Sequence, residues 1–326
     1  VEQVDTGHPV HKEKNMQFPF TEDKTYEEGG FIGHTFNIYR NEMLTNTFPF
    51  MESVTFMAKG NTAQGWHWKV LESILYVMDD TGDIQFSFNG VEILNGKVVA
   101  VGVKLANGAV KRVVMSEHTP LSKKWKIKIS SCQANHKILS KLLKSLKKDG
   151  VPDSKIKVVI GSVPYSKEFK SNFRDIEFRS SERNLKGFTA LAALVAGGDQ
   201  LIESGKYYML LHDTCMVVPG FHKWLDNVDV GLNPDIILLR PPEENLELGV
   251  YSGSFLLDQD DLDTIKPSKR LHFLIGRAKV VMVVGGHKVQ KLPEDHYHDG
   301  ITRKQLTFAR PHVMKLKKAQ KTGRKR

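Results

Sequence analysis

The sequence predicts an α/β protein: a mainly parallel sheet flanked by helices, behind an N-terminal β-rich module. Three observations carry this. Residues 51–118 hold Val-, Ile- and Phe-rich runs with Asn-Gly pairs at 89–90, 95–96 and 107–108. Asn-Gly suits the positive φ angles of tight hairpin turns. From "HTPLSKKW" (118–125) onward, apolar β-type runs alternate with helical ones, the pattern of a parallel sheet covered by helices. Finally, "YYMLLHD" (207–213) is a buried-type strand that ends abruptly in polar residues.

The elements follow in order. Residues 1–50 read as an irregular arm with two widely spaced "FPF" copies, too far apart to establish a repeat. Residues 51–118 read as a meander of short antiparallel strands. Within it, "GWHWKVLESILYVMDD" suits either a short helix or a strand. "KIKISSC" (126–132) is a strand. "HKILSKLLKSLKKDG" (136–150) is an amphipathic helix with Ile138, Leu139, Leu142, Leu143 and Leu146 on one face, stopped by Gly150 and Pro152. "KIKVVIGS" (155–162) and "DIEFRS" (175–180) are further strands. "LKGFTALAALVAGGD" (185–199) is a helix ending at Gly-Gly, and "KYYMLLHD" (206–213) is the fourth strand. "LHFLIGRAKVVMVVGG" (271–286) suits a helix followed by a strand. The expected organisation is an arm and β-rich module over 1–120, an α/β domain over 121–312, and a basic tail over 313–326.

Hydrophobic residues make up 40% and charged residues 26%, a globular balance. No run approaches the roughly 18 apolar residues of a membrane span. The first 20 residues lack the apolar core of a signal peptide, so none is expected. Two cysteines, Cys132 and Cys215, are too few for a disulfide scaffold and match no zinc pattern, which suggests a reducing, cytoplasmic setting. The net charge of +10 is local. Residues 301–326 hold ten Lys or Arg and no Asp or Glu, so the rest of the chain is balanced. The default for such an end is a solvated tail; its charge also suits an anionic membrane, a nucleic acid or another subunit. It lacks the interleaved aromatics of a single-strand-binding surface.

In open α/β sheets, ligands bind beyond the carboxyl ends of the strands. Three strands end here in polar chemistry: Ser130, Ser131, Cys132, Gln133 and Asn135 after the first, Gly161, Ser162, Pro164 and Tyr165 after the second, His212, Asp213 and Thr214 after the fourth. The order "ISSCQANHKILSKLLKSL", "ERNLKGFTALAALV", "YYMLLHDTCMVVPGF" resembles the GT-A superfamily of nucleotide-sugar glycosyltransferases over about residues 125–260. In that family the opening strand–helix–strand binds the nucleotide, and a later apolar strand ends in a short acidic motif, usually Asp-x-Asp. This chain has His212-Asp213-Thr214 at that place, with one carboxylate.

The resemblance implies a GT-A-like fold and sugar transfer from a nucleotide-sugar donor to a glycan, protein or lipid acceptor. It implies that Ser131, Gln133 and Asn135 line the nucleotide pocket, and that Arg183 and Asn184 touch the nucleotide or sugar. Asp213 would face the diphosphate or its cation, manganese or magnesium. His212 and a later histidine, His298 (or His296) in "EDHYHDG", would join that cation. A general base would come from "DQDDLD": Asp258, Asp260 or Asp261, with Asp263 beside them. Each has a plainer reading: a helix cap or loop carboxylate for Asp213, a structural histidine for His212, a solvated loop for "DQDDLD", a surface turn for "HYHDG", a helix-start turn for Arg183 and Asn184. Both cysteines read as small buried residues. The rival to an enzyme is a structural or nucleic-acid-associated protein on a degenerate α/β scaffold, using its basic tail to bind.

Overall fold

The computed structural model describes residues 31–42, 46–106, 109–132, 135–161, 167–182, 185, 188–239, 248–259, 262, 264–265, 269–284 and 313–315. Strands begin earlier than expected: β1 (Thr35–Arg40) and the first four residues of β2 (Thr47–Thr55) fall inside the stretch read as an irregular arm. In β1, Phe36 and Ile38 enter the core of the N-terminal module while Tyr39 enters the core of the α/β part. The strand is thus buried on both faces.

The meander follows as β3 (His67–Leu71), β4 (Ile74–Met78), β5 (Ile84–Leu94), β6 (Lys97–Ala106) and β7 (Ala109–Glu117). The segment compatible with helix or strand is the β3–β4 hairpin. Its turn residues Glu72 and Ser73 have φ of 50° and 61°, both positive as the favoured two-residue turn requires. Asn95 and Gly96 make the expected β5–β6 turn. Asn89-Gly90 does not turn. It lies within β5, where the register against β6 skips between Phe88 and Gly90 as a bulge. A Cβ on Gly90 would stand 3.0 Å from Val101 Cγ2, a tight contact that the Val101 side chain would have to relieve. The pair at 107–108 lies outside the described residues.

The α/β part then runs β8 (Trp125–Cys132), α1 (His136–Lys148), β9 (Ile156–Gly161), α2 (Lys167–Ser171), β10 (Glu177–Ser181), α3 (Thr189–Ala196), β11 (Tyr207–His212), β12 (Cys215–Val217) and α4 (Phe221–Asp226). It continues with β13 (Ile236–Leu238), β14 (Gly249–Ser252), α5 (Gly253–Leu257), α6 (Arg270–Arg277), β15 (Val281–Val283) and β16 (Val313–Lys315). β10, β9, β8 and β11 pair in parallel. β14 lies antiparallel between β11 and β13, and β15 resumes the parallel direction beside β13. β15 also pairs in parallel with β2, so the meander and the parallel strands form one 14-stranded sheet. β16, the first residues of the segment read as a tail, pairs antiparallel with β12. The α/β architecture is the one the sequence predicts.

Helices cover both faces of the parallel strands. Met209 and Leu211 of β11 share a core with Leu139, Leu142, Leu143 and Leu146 of α1. Tyr208 and Leu210 face the other way, onto Leu191 and Leu194 of α3 and onto α5 and α6. That is why β11 is buried at every position. Each such leucine contributes about 1.5–3 kcal/mol on burial.

A buried carboxylate ties the module to the α/β part. Asp229, 8% exposed, accepts from Asn37 Nδ2 at 2.7 Å and from the Tyr39 hydroxyl on one oxygen. Its other oxygen accepts from the Thr119 and Gly231 amides at 2.8 and 2.9 Å. Burial, then the Asp229 charge, holds the Tyr39 hydroxyl well above its ordinary range. Gly231 is required by close approach: a Cβ there would lie 2.3 Å from the Glu117 carbonyl oxygen. Asp229→Ala is therefore expected to strip four donors of their acceptor and lower the unfolding free energy by about 3–5 kcal/mol. Urea titration measures it, with Asp229→Asn expected to lose less.

Candidate active site

Four parallel strands bring their carboxyl ends, Cys132, Gly161, Ser181 and His212, to one edge of the sheet. The pairing sets Ser130 opposite His212. The chain then turns, and the Asp213 amide donates to the Ser130 carbonyl at 3.0 Å. Asp213 is 4% exposed. Its Oδ2 accepts from Ser131 Oγ at 2.7 Å, Asn135 Nδ2 at 2.9 Å and the Cys132 amide at 3.3 Å. Its Oδ1 makes no hydrogen bond among the described residues. One oxygen is thus clamped by three donors. The Asn135 side-chain oxygen, also buried, has no hydrogen-bond partner among the described residues. Burial pushes the Asp213 carboxyl above its ordinary value; Ser131, Asn135, the Cys132 amide and the His212 charge pull the other way.

Two helices start at this edge. Asn135 precedes α1 but spends its side chain on Asp213 rather than on capping the helix. Ser130 Oγ accepts from the Ala190 amide at 3.0 Å, which pins the first turn of α3 to the end of β8. Neither helix carries an acidic residue in its first turn. Their positive ends therefore face the crevice without a countercharge from the first turn, a favourable setting for an anion.

The structure brings Ser131, Asn135, His212 and Asp213 together. His212, buried, has its backbone opposite Ser130. Gln133, Arg183, Asn184, His296, His298, Asp260, Asp261 and Asp263 lie outside the described residues. Asp258 is described, and it stands elsewhere. It shares a recess with Asn95, Asn233, Asp235, Ser252 and Arg277. Ser252 pairs with Tyr207, the first residue of β11, whereas Asp213 follows its last. A six-residue strand, roughly 20 Å, separates those two ends. Cys132 contributes its backbone amide, and both cysteines are unbridged. The three-donor clamp on Asp213 was the feature not foreseen from sequence. Its signal was present in the polar run that follows "KIKI", once that strand is set beside "YYMLLHD".

No group of three or more His, Cys, Asp or Glu that could hold a metal lies among the described residues. The free Oδ1 of Asp213 is one hard oxygen ligand. A magnesium-type ion binds through one or two carboxylates and takes the rest of its shell from water and substrate phosphates.

No family model and no curated protein matches the chain. Solved structures are similar at low identity. Residues 1–349 of S. aureus TarS in complex with UDP match at 14% identity and a TM-score of 0.37, over 49% of this chain and 57% of that one. The galactosyltransferase LgtC with donor and acceptor sugar analogs matches at 12% and 0.40, over 59% and 86%. The glycosyltransferase GlyE of Streptococcus pneumoniae TIGR4 matches at 11% and 0.33, over 50% and 46%. The chain thus spans little more than half of the TarS fragment. These likenesses are distant, and the functional reading rests on the geometry of the crevice.

Two variants test the clamp by denaturant unfolding. Ser131→Ala removes one donor to a buried carboxylate and is expected to cost about 1–3 kcal/mol. Asp213→Asn keeps one acceptor oxygen for the clamp and removes the buried charge. A carboxyl raised in the folded state gives its full stabilising contribution below its ordinary value of 3.8 and loses it as pH rises through the folded value. Asp213→Asn should therefore match wild type at acid pH and exceed it in stability at neutral pH.

Proposed function

We propose that the chain is a glycosyltransferase that moves a sugar from a nucleotide-sugar donor to a glycan, protein or lipid acceptor. The observation that carries this reading is the half-clamped carboxylate of Asp213 at the carboxyl ends of parallel strands, between two helix starts. Negative charge grows on a nucleoside diphosphate as the glycosidic bond breaks. The amino ends of α1 and α3 are placed to meet that charge. Asp213 would hold a manganese or magnesium ion through Oδ1, and the ion would add positive charge beside the diphosphate. Ser131 and Asn135 keep that carboxylate in one orientation, and the free Asn135 oxygen can accept an N–H or O–H from the nucleoside. Asp258 lies in a recess at the other end of β11 from Asp213.

No helix of the described residues is long and apolar enough to cross a membrane. We assign the action to the cytoplasm, which a count of only two cysteines suits. The basic run after residue 301 is read as a contact to an anionic surface. The test is a thermal-shift panel of nucleoside diphosphates with and without manganese, followed by transfer assays. One nucleoside diphosphate should stabilise the wild type selectively, and Asp213→Asn should lower transfer by about 10²–10³-fold. Stabilisation by DNA or RNA alone, or normal turnover in Asp213→Asn, would overturn the reading.

A further inference from the structure

A second charged site lies at the other end of β8, away from Asp213. Ile127 and Ile129 pack with α1, so the alternation of the strand sends Lys126 and Lys128 to the α3 side. Lys128 pairs in register with Lys157 of β9, and Arg179 comes from β10 beyond it. Together with Lys155, Glu177 and Glu203 these side chains line a recess of about 200 Å³. A water takes roughly 30 Å³ in the liquid, so a small polyatomic ion has room. Five Lys or Arg against two Glu leave the lining with a net charge of +3.

Most of these charges are matched. Glu177 accepts from Lys157 at 2.8 Å and from Arg179. Glu203 pairs with Lys126. Lys155 donates to the Lys123 carbonyl at 2.8 Å and lies 3.9 Å from the centre of the Trp125 ring. Lys128 is the exception. It is 4% exposed and makes no hydrogen bond or ion pair among the described residues, and its Nζ stands 5.4 Å from the Tyr208 ring centre. Lysine is almost never buried so fully unless paired. Burial, then the neighbouring Lys157 and Lys126, pushes it down to about 8. A purely packing role would be served better by an apolar side chain, which would avoid burying a charge in a positive field.

We infer that this recess binds a phosphate group, with Lys128 as its buried anchor and Lys157 and Arg179 closing on the same anion. A tetrahedral oxyanion would supply the acceptors that Lys128 lacks and offset the surplus charge of the lining. The site is separate from the donor crevice and stands or falls without it.

The probe is inorganic phosphate, titrated calorimetrically against the full chain at ionic strength matched with chloride. Wild type should bind, and its melting temperature should rise in phosphate over chloride. Lys128→Met should weaken binding at least about tenfold, while melting at or above wild type in chloride because the unpaired buried charge is gone. Arg179→Gln, at an exposed position that leaves the core intact, should weaken binding about threefold and decides the matter if Lys128→Met fails to fold. No binding by wild type beyond the chloride control would overturn the proposal. So would full affinity in both basic-site variants.

Discussion

The register of β8 against β11 is the constraint on which the site depends. Ser130 must stand opposite His212 for the Asp213 amide to reach the Ser130 carbonyl and for its carboxylate to fall among Ser131, Cys132 and Asn135. A slip of one residue would invert every side chain of one strand. Met209 and Leu211 would then leave the α1 core, and Ser131 would turn away from Asp213. The apolar middles of the two strands therefore set the position of the polar groups at their ends. The packing of a hydrophobic core and the aim of a single carboxylate are the same choice of alignment.

β8 carries more polarity than a central strand ordinarily tolerates. Lys128, Ser130 and Ser131 are all buried in it. Two of the three are explained by structure already: Ser130 anchors α3, and Ser131 clamps Asp213. The strand is thus stable through Trp125, Ile127 and Ile129 on one face, while Lys128 and Ser130 on the other face, and Ser131 near its end, serve other ends. Buried polar groups cost little when satisfied and much when they are not, so an unsatisfied one in such a strand points to a missing partner.

The sequence is most legible where a pattern is local. The leucine stripe of α1 and the uniformly apolar β11 announce themselves within a dozen residues, and Gly150 at φ 86° ends α1 where the pattern stops. The β3–β4 turn was harder, because Glu72 and Ser73 take positive φ without the usual glycine. Asn89-Gly90 misled because the same dipeptide serves a turn and a bulge, and only the partner strand β6 distinguishes them. β1 and the start of β2 were missed because both strands are completed by distant ones, β7 and β15. At the site, the acidic end of β11 was readable from its apolar run. The placement of Asp258 was not, because β14 returns antiparallel to β11 and carries the following residues to the opposite end of the sheet. No spacing in the sequence encodes that reversal.

The parallel seam between β15 and β2 has a consequence for how the chain is made. Val281 pairs with Thr47 and Val283 with Pro49, so one edge of the N-terminal meander waits for residues synthesised more than two hundred positions later. On a ribosome adding about 5–20 residues per second, that delay is on the order of ten seconds or more. Throughout it, β1 and the meander can close around their own phenylalanine-rich core, but β2 presents an unpaired edge. Contacts of such long sequence separation also form slowly after release. The nascent chain thus passes through a stage in which half of the future sheet is folded and exposes a strand edge, open to chaperones or to another copy, until its own carboxyl-terminal half arrives to cover it.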